Sequence, residues 1–277
     1  MSTIEQNLQA VRESIAQAAA DAQRAPGDVT LLAVSKTFGA DAVLDAMRAG
    51  QVAFGENYLQ EALDKIAFVK DAAPQHAPAW HFIGPIQSNK TRPIAEHFDW
   101  VHTVEREKII AFVKEAAPQH VPAWHFIGPI QSNKTRPIAE HFDWVHTVER
   151  EKIAVRLSEQ RPAGLPDLNI CLQVNISGEA SKSGVTPAEL PALAHAVAQL
   201  PRLRLRGLMA IPEPETELTL QRAAFAQLRA LYEQLKAEGL ALDTLSMGMS
   251  ADLRAAVLEG ATIVRVGSAI FGSRNYS

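Results

Sequence analysis

Lys36 closes the run VTLLAVSK (29–36), which is otherwise apolar or small. A charged amine is costly to desolvate beside such a run. Partial burial lowers a lysine pKa toward the neutral amine that attacks an aldehyde. Position alone does not separate that chemistry from a lysine that snorkels its amine to solvent. A second group of residues lies in ATIVRVGSAIFG (261–272), where Arg265, Gly267 and Ser268 end an apolar run. Glycine permits close backbone approach there, and a short helix after it would present free N–H groups to a phosphate. LSMGMSADL (245–253) adds Ser250, an expected N-cap whose hydroxyl and neighbouring amides would complete an anion cradle. Either segment taken alone reads equally well as ordinary capping residues and a turn glycine.

Other reactive side chains offer less. The three tyrosines are Tyr58, Tyr232 and Tyr276. Tyr232 lies in an expected helix and Tyr276 at the terminus, while Tyr58, at a helix start expected to be solvated, stays a candidate for a second acid or base. The single cysteine, Cys171, lies about four residues before the end of its expected strand, roughly 13 Å from that end at strand rise. It excludes an intrachain disulfide and fits a reducing compartment. Eight of the nine histidines (all but His195) and all four tryptophans fall within a tandem repeat. Residues 66–109 recur as residues 110–153, a unit of 44 residues in which only Asp71 becomes Glu115 and Ala77 becomes Val121. An apparent histidine-rich cluster is therefore one modest set counted twice. Within a copy His76, His81, His97 and His102 lack the spacing of a paired metal site, so no metal is expected.

The elements that must carry these residues alternate. Ile4, Leu8, Val11 and Ile15 recur at helical spacing behind a Ser2–Glu5 capping box, and Pro26-Gly27 should stop that helix. VTLLAVSK reads as a strand buried on both faces, then come a helix near 41–49, a strand VAFG (52–55) and a helix to about Val69. Each repeat copy holds two strands, WHFIG and WVHTV, and two helices, NKTRPIAEHF and EREKIIAFVK. Strands LNICLQVN (168–175), LRLRGLMAI (203–211), DTLSMGM (243–249) and TIVRVG (262–267) follow, separated by helices near 186–199, 217–238 and 250–259. Such alternation with short loops requires a parallel sheet with crossover helices. No GxGxxG follows the first strand, which argues against a doubly wound open sheet. Without one repeat copy there are eight βα units, the number in a TIM-type (βα)8 barrel. The last strand of such a barrel neighbours the first, so a phosphate held near Ser250 and Gly267 would lie within reach of Lys36.

Composition sets the outer bounds. The chain has 277 residues, 47% hydrophobic and 21% charged, with net charge -4. There is no basic excess for nucleic acid or an anionic membrane. The N-terminus has neither a basic region nor a continuous apolar run, and no window is long and apolar enough to span a bilayer. A single cytoplasmic domain over 1–277 is expected.

The motifs AVSKT (33–37), FGENYLQE (54–61), HFIGPIQSNK (81–90), QVNISGEASKSG (173–184), RGLMAI (206–211), LSMGMSADL (245–253) and VRVGSAIFG (264–272) together resemble the pyridoxal phosphate homeostasis protein family, related to the barrel domain of alanine racemase. The resemblance runs in order over essentially the whole chain. It implies pyridoxal 5′-phosphate (PLP) held as a Schiff base on Lys36. It further implies Arg265 against the pyridine nitrogen, Ser250, Gly267 and Ser268 on the phosphate, and Asn57 near the ring. The family is regarded as non-catalytic, buffering PLP or delivering it to PLP-dependent apoenzymes. An arginine at the pyridine nitrogen keeps its proton and makes the ring a poorer electron sink, and racemisation needs a second acid or base opposite Lys36. A carrier with no catalytic residue is therefore expected. The alternatives are a weak PLP-dependent amino-acid racemase and a phosphate-sugar enzyme without PLP.

The extra 44 residues depart from the family pattern. An eight-stranded barrel is just wide enough for side chains to fill, and ten strands would enclose more space. The expectation is an eight-stranded barrel with one copy displaced as an appended βαβα unit, its apolar faces covered by dimerisation. A ten-stranded barrel is the alternative, because extrusion would expose Trp, Phe and Ile faces.

Overall fold

The structure, a computed structural model, describes residues 2–84, 91–101, 123–178 and 183–272. The strands are β1 (Thr30–Val34), β2 (Ala53–Glu56), β3 (Ala79–Phe82), β4 (Trp100–Val101), β5 (Ala123–Phe126), β6 (Trp144–Val148), β7 (Leu168–Gln173), β8 (Leu203–Met209), β9 (Thr244–Ser246) and β10 (Ile263–Val266). The helices are α1 (Thr3–Asp21), α2 (Ala40–Arg48), α3 (Leu59–Ala72), α4 (Thr91–His97), α5 (Thr135–His141), α6 (Glu151–Gln160), α7 (Leu190–Ala198), α8 (Leu218–Ala237), α9 (Leu253–Leu258) and α10 (Ser268–Phe271). The hydrogen-bonded strand order is β1-β10-β9-β8-β7-β6-β5-β4-β3-β2, the topology of a closed α/β barrel. The chain divides into two compact units. One comprises residues 1–123, 249–253 and 264–277, the other residues 124–248 and 254–263.

In the first unit α1 opens on the expected capping box: Ser2 Oγ accepts from Glu5 N, and the Glu5 carboxylate accepts from Ser2 N. Its apolar stripe buries Leu8, Val11, Ile15, Ala18 and Ala19. The helix ends at Asp21, ahead of the Pro26-Gly27 pair, which instead forms a single 3-10 turn. Strand β1 is shorter than expected and buries only Leu32 and Ala33 within its bounds. It pairs in parallel with β2, β2 with β3, and β3 with β4.

The second unit continues the pattern. Strand β5 pairs in parallel with β6, β6 with β7, β7 with β8, and β8 with β9, and Ile263 of β10 pairs with Ser246. His125 Nδ1 and His146 Nε2 approach to 2.9 Å beside Trp144, whose ring stacks on both imidazoles. Arg206 covers Trp144 at 4.6 Å and is held by Asp243. No group of three His, Cys, Asp or Glu side chains among the described residues could hold a metal ion. Nor is any helix among them long and apolar enough to cross a membrane.

The expectation of eight strands with one copy set aside is corrected: the described chain has ten strands, and both copies supply a pair. The two copies repeat the same bonds. Asp99 Oδ2 accepts from Trp80 N at 2.8 Å, and Asp143 Oδ2 accepts from Trp124 N at 2.8 Å. The Asp99 carbonyl then accepts from Ala123 N, the first residue of β5, as the Asp143 carbonyl accepts from Asn169 N of β7. Each of these Asp carbonyls, directly ahead of β4 or β6, thus accepts from an amide at the start of the described strand that comes after. Burial gives the physical reason. Trp80, Phe82, Ile94 and Phe98 are buried in copy one, and Trp124, Phe126, Ile138 and Phe142 in copy two. Displacing either copy would return that apolar surface to water. The chimeric helix expected across 105–114, and the last residues of the first WVHTV segment, lie outside the described residues.

Candidate functional site

All six residues singled out by sequence lie in the first unit. Lys36 is half-buried two positions past β1, and Asn57 is half-buried directly after β2. Ser250 is half-buried in the turn after β9, and Arg265 is half-buried within β10. Gly267 caps α10, and Ser268 is its exposed first residue.

Two contacts bring the Lys36 segment beside the β10–α10 corner. A Cβ added at Gly267 would lie 3.4 Å from Val34 Cβ and from the Val34 carbonyl oxygen, so this glycine does sit close against β1. Phe38 stacks on Phe271, the last residue of α10, with centroids 5.3 Å apart. Lys36 lies between these contacts in sequence. Helix α1 supports the corner from behind, where Asn7 Nδ2 donates to the Ile270 carbonyl at 3.1 Å.

The expected role of Ser250 as cap of the following helix is corrected. Helix α9 begins only at Leu253, and Asp252 Oδ1 accepts from Met249 N at 2.6 Å. The Ser250 hydroxyl instead accepts from Gly267 N at 3.0 Å. Because that oxygen is the acceptor, its own O–H stays available to donate. The first amides of α10 have no acceptor inside the helix, as at any helix start. Arg265 completes the set: burial lowers its pKa, and the Asp252 carboxylate opposes that shift. These groups are donors and a cation, which suits a phosphate-bearing ligand.

Sequence reasoning missed the groups that brace this corner. Glu56 and Lys65 form a buried ion pair, Nζ to Oε2 at 2.9 Å, with side chains 0% and 3% exposed respectively. Lys65 Nζ also donates to the Ser35 carbonyl at 2.9 Å and to Glu61 Oε1. Glu61 Oε1 in turn accepts from Thr37 N at 2.7 Å, and Ser35 Oγ donates to Glu56. Desolvation raises the Glu56 pKa, against the pull of Lys65. Gly84 was missed as well: a Cβ there would fall 2.0 Å from the Asn57 carbonyl oxygen. One signal was present, since Ala62, Lys65 and Val69 share a helical face on which only Lys65 is charged.

The remaining reactive side chains are three tyrosines and one cysteine. Tyr58 is 51% exposed, and Tyr232 is buried with its hydroxyl donating to the Leu242 carbonyl at 3.0 Å. Tyr276 lies outside the described residues. Cys171 is two residues from the end of β7 rather than four, and burial pushes its thiol up to about 12.

Comparison with known proteins matches residues 6–275 to the family model for the alanine racemase N-terminal domain. The chain is 55% identical over 276 residues to the pyridoxal phosphate homeostasis protein of Pseudomonas aeruginosa, covering 100% of this chain and 98% of that protein. It is 47% identical over 277 residues to the pyridoxal phosphate homeostasis protein of Escherichia coli K12, covering 100% and 99%. Among solved structures, PipY of Synechococcus elongatus PCC7942 with PLP bound is similar at 32% identity and a TM-score of 0.52, over 95% of this chain and 100% of that one.

Proposed function

The chain belongs to the alanine racemase N-terminal domain family and, within it, to the pyridoxal phosphate homeostasis proteins; from that premise we propose that it holds PLP as a Schiff base on Lys36 and does not turn it over. The observation that carries the reading is the bond from Gly267 N to Ser250 Oγ, in a corner packed against the segment that bears Lys36. When bound, PLP supplies an aldehyde that a neutral lysine amine converts to a Schiff base with release of water. Ser250 would donate its hydroxyl to the phosphate, and the amides at Ser268 and the start of α10 would add backbone donors. By the family resemblance Arg265 would hold the pyridine nitrogen and Asn57 would lie near the ring.

Storage or delivery, rather than catalysis, is supported by the same residues. Arg265 remains charged and cannot share its proton with the ring, so demanding carbanion chemistry gains little. Tyr58 is largely solvated, and a thiol pushed up to about 12 is a poor acid or base at neutral pH. The recipients in this reading are PLP-dependent apoenzymes, and residues 1–277 act as one PLP-binding domain in the cytoplasm. Two experiments test it. PLP added to the purified protein should produce a visible imine band that Lys36→Ala abolishes; a band that survives the substitution contradicts the assignment. Incubation with L-alanine in deuterium oxide should leave Cα undeuterated, and brisk exchange would make the protein a racemase-like enzyme.

A further inference from the structure

The Glu56–Lys65 pair does more than join β2 to α3. Replacing a buried ion pair by apolar side chains is often neutral or stabilising, so the pair is weak evidence of a purely stabilising role. The remaining bonds of the Lys65 ammonium indicate another one. One goes to the Ser35 carbonyl, on the peptide group immediately before Lys36. Another goes to Glu61 Oε1, the acceptor for Thr37 N immediately after Lys36. Both peptide groups flanking Lys36 therefore converge on a single buried cation.

Thr37 shows what that convergence holds in place. Its φ is +71°, in the left-handed region that a β-branched residue rarely adopts. Such a conformation persists where surrounding contacts over-determine it, and these cluster at functional sites. Here the contacts are the Glu61 carboxylate on the Thr37 amide and the turn closed by Phe38 N on the Ser35 carbonyl. If Thr37 relaxed to negative φ, the path of the backbone through Lys36 would change.

We infer that Lys65 and Glu61 are positioning residues for Lys36: together they clamp the peptide groups on either side of it and fix the direction in which its side chain leaves the backbone. The inference rests on the reading of Lys36 as the Schiff-base lysine, and its test separates the two. The central variant is Glu61→Ala, which removes the Thr37 acceptor at a partly exposed position and leaves the Glu56–Lys65 pair intact. In the cofactor-free protein, amide hydrogen exchange at Thr37 should quicken by about tenfold or more. Schiff-base formation with PLP should weaken by about tenfold, the scale on which small misplacements of a reacting group act. Binding of pyridoxine 5′-phosphate, which has no aldehyde, should not change. Glu61→Gln keeps an oxygen acceptor and should restore most of the loss. The paired variant Glu56→Gln with Lys65→Met leaves no lone buried charge and should reproduce the Glu61→Ala loss. Unchanged exchange and unchanged imine formation in Glu61→Ala would overturn the inference, as would equal losses for both ligands. If the wild-type protein forms no Schiff base on Lys36, the PLP reading fails instead, while the exchange measurement still decides whether the clamp exists.

Discussion

A thiolate is the reactive form of cysteine, and burial raises the Cys171 pKa to about 12. The native protein should therefore resist thiol reagents at neutral pH and react only on unfolding; stoichiometric labelling of folded protein within minutes would contradict this. At Gly84 a methyl group would meet backbone, not a flexible side chain, since the Asn57 carbonyl oxygen is 2.0 Å from the would-be Cβ. Gly84→Ala should cost about 1–3 kcal/mol and weaken PLP binding through Asn57, measured by urea unfolding and by titration of the visible band. Lys36, Ser250 and Gly267 were singled out in the sequence because their types and strand-end positions suit an aldehyde and an anion. Glu61 and Lys65 were not, because a charged residue on a helix reads as solvated until its burial is known.

At the scale of elements, the order of strands and helices followed from hydrophobic periodicity, with boundaries shifted by a few residues. Helix α9 starts three residues later than expected, which moves Ser250 from a helix cap to a bond with Gly267. No local pattern announces such a tertiary partner. The fate of the repeat was likewise not a local property, since the described residues of each copy supply two strands and repeat the same bonds. The twin bonds from Trp80 N to Asp99 and from Trp124 N to Asp143 offer a direct comparison. Asp99→Ala and Asp143→Ala should each destabilise the protein by about 1–3 kcal/mol, the scale for an orphaned backbone donor. If only one of the two mattered in urea unfolding, the copies would not be equivalent members of the strand order.

For the whole molecule, composition and alternation made an α/β barrel legible, while the weighing of interior volume against exposed aromatic surface misjudged the strand number. Each copy buries one Trp and two Phe side chains, Trp80, Phe82 and Phe98 in the first and Trp124, Phe126 and Phe142 in the second, so the apolar surface decided the outcome. Global stability should also carry a mark of His81, which burial depresses from 6.5 to about 4. Between those values the unfolded chain binds a proton that the folded chain refuses. Stability therefore falls as pH drops from about 6.5 toward 4, by roughly 3 kcal/mol at most, and this share levels off below. Glu56, with its pKa raised by burial, works in the opposite sense, so the informative comparison is wild type against His81→Phe. The variant should lose that slope in thermal unfolding between pH 6.5 and 4; an unchanged slope would assign it elsewhere. Borohydride reduction of the PLP-incubated protein, followed by peptide mass spectrometry, should find the phosphopyridoxyl group on Lys36; an unmodified Lys36, or the group on a different lysine, would contradict the account.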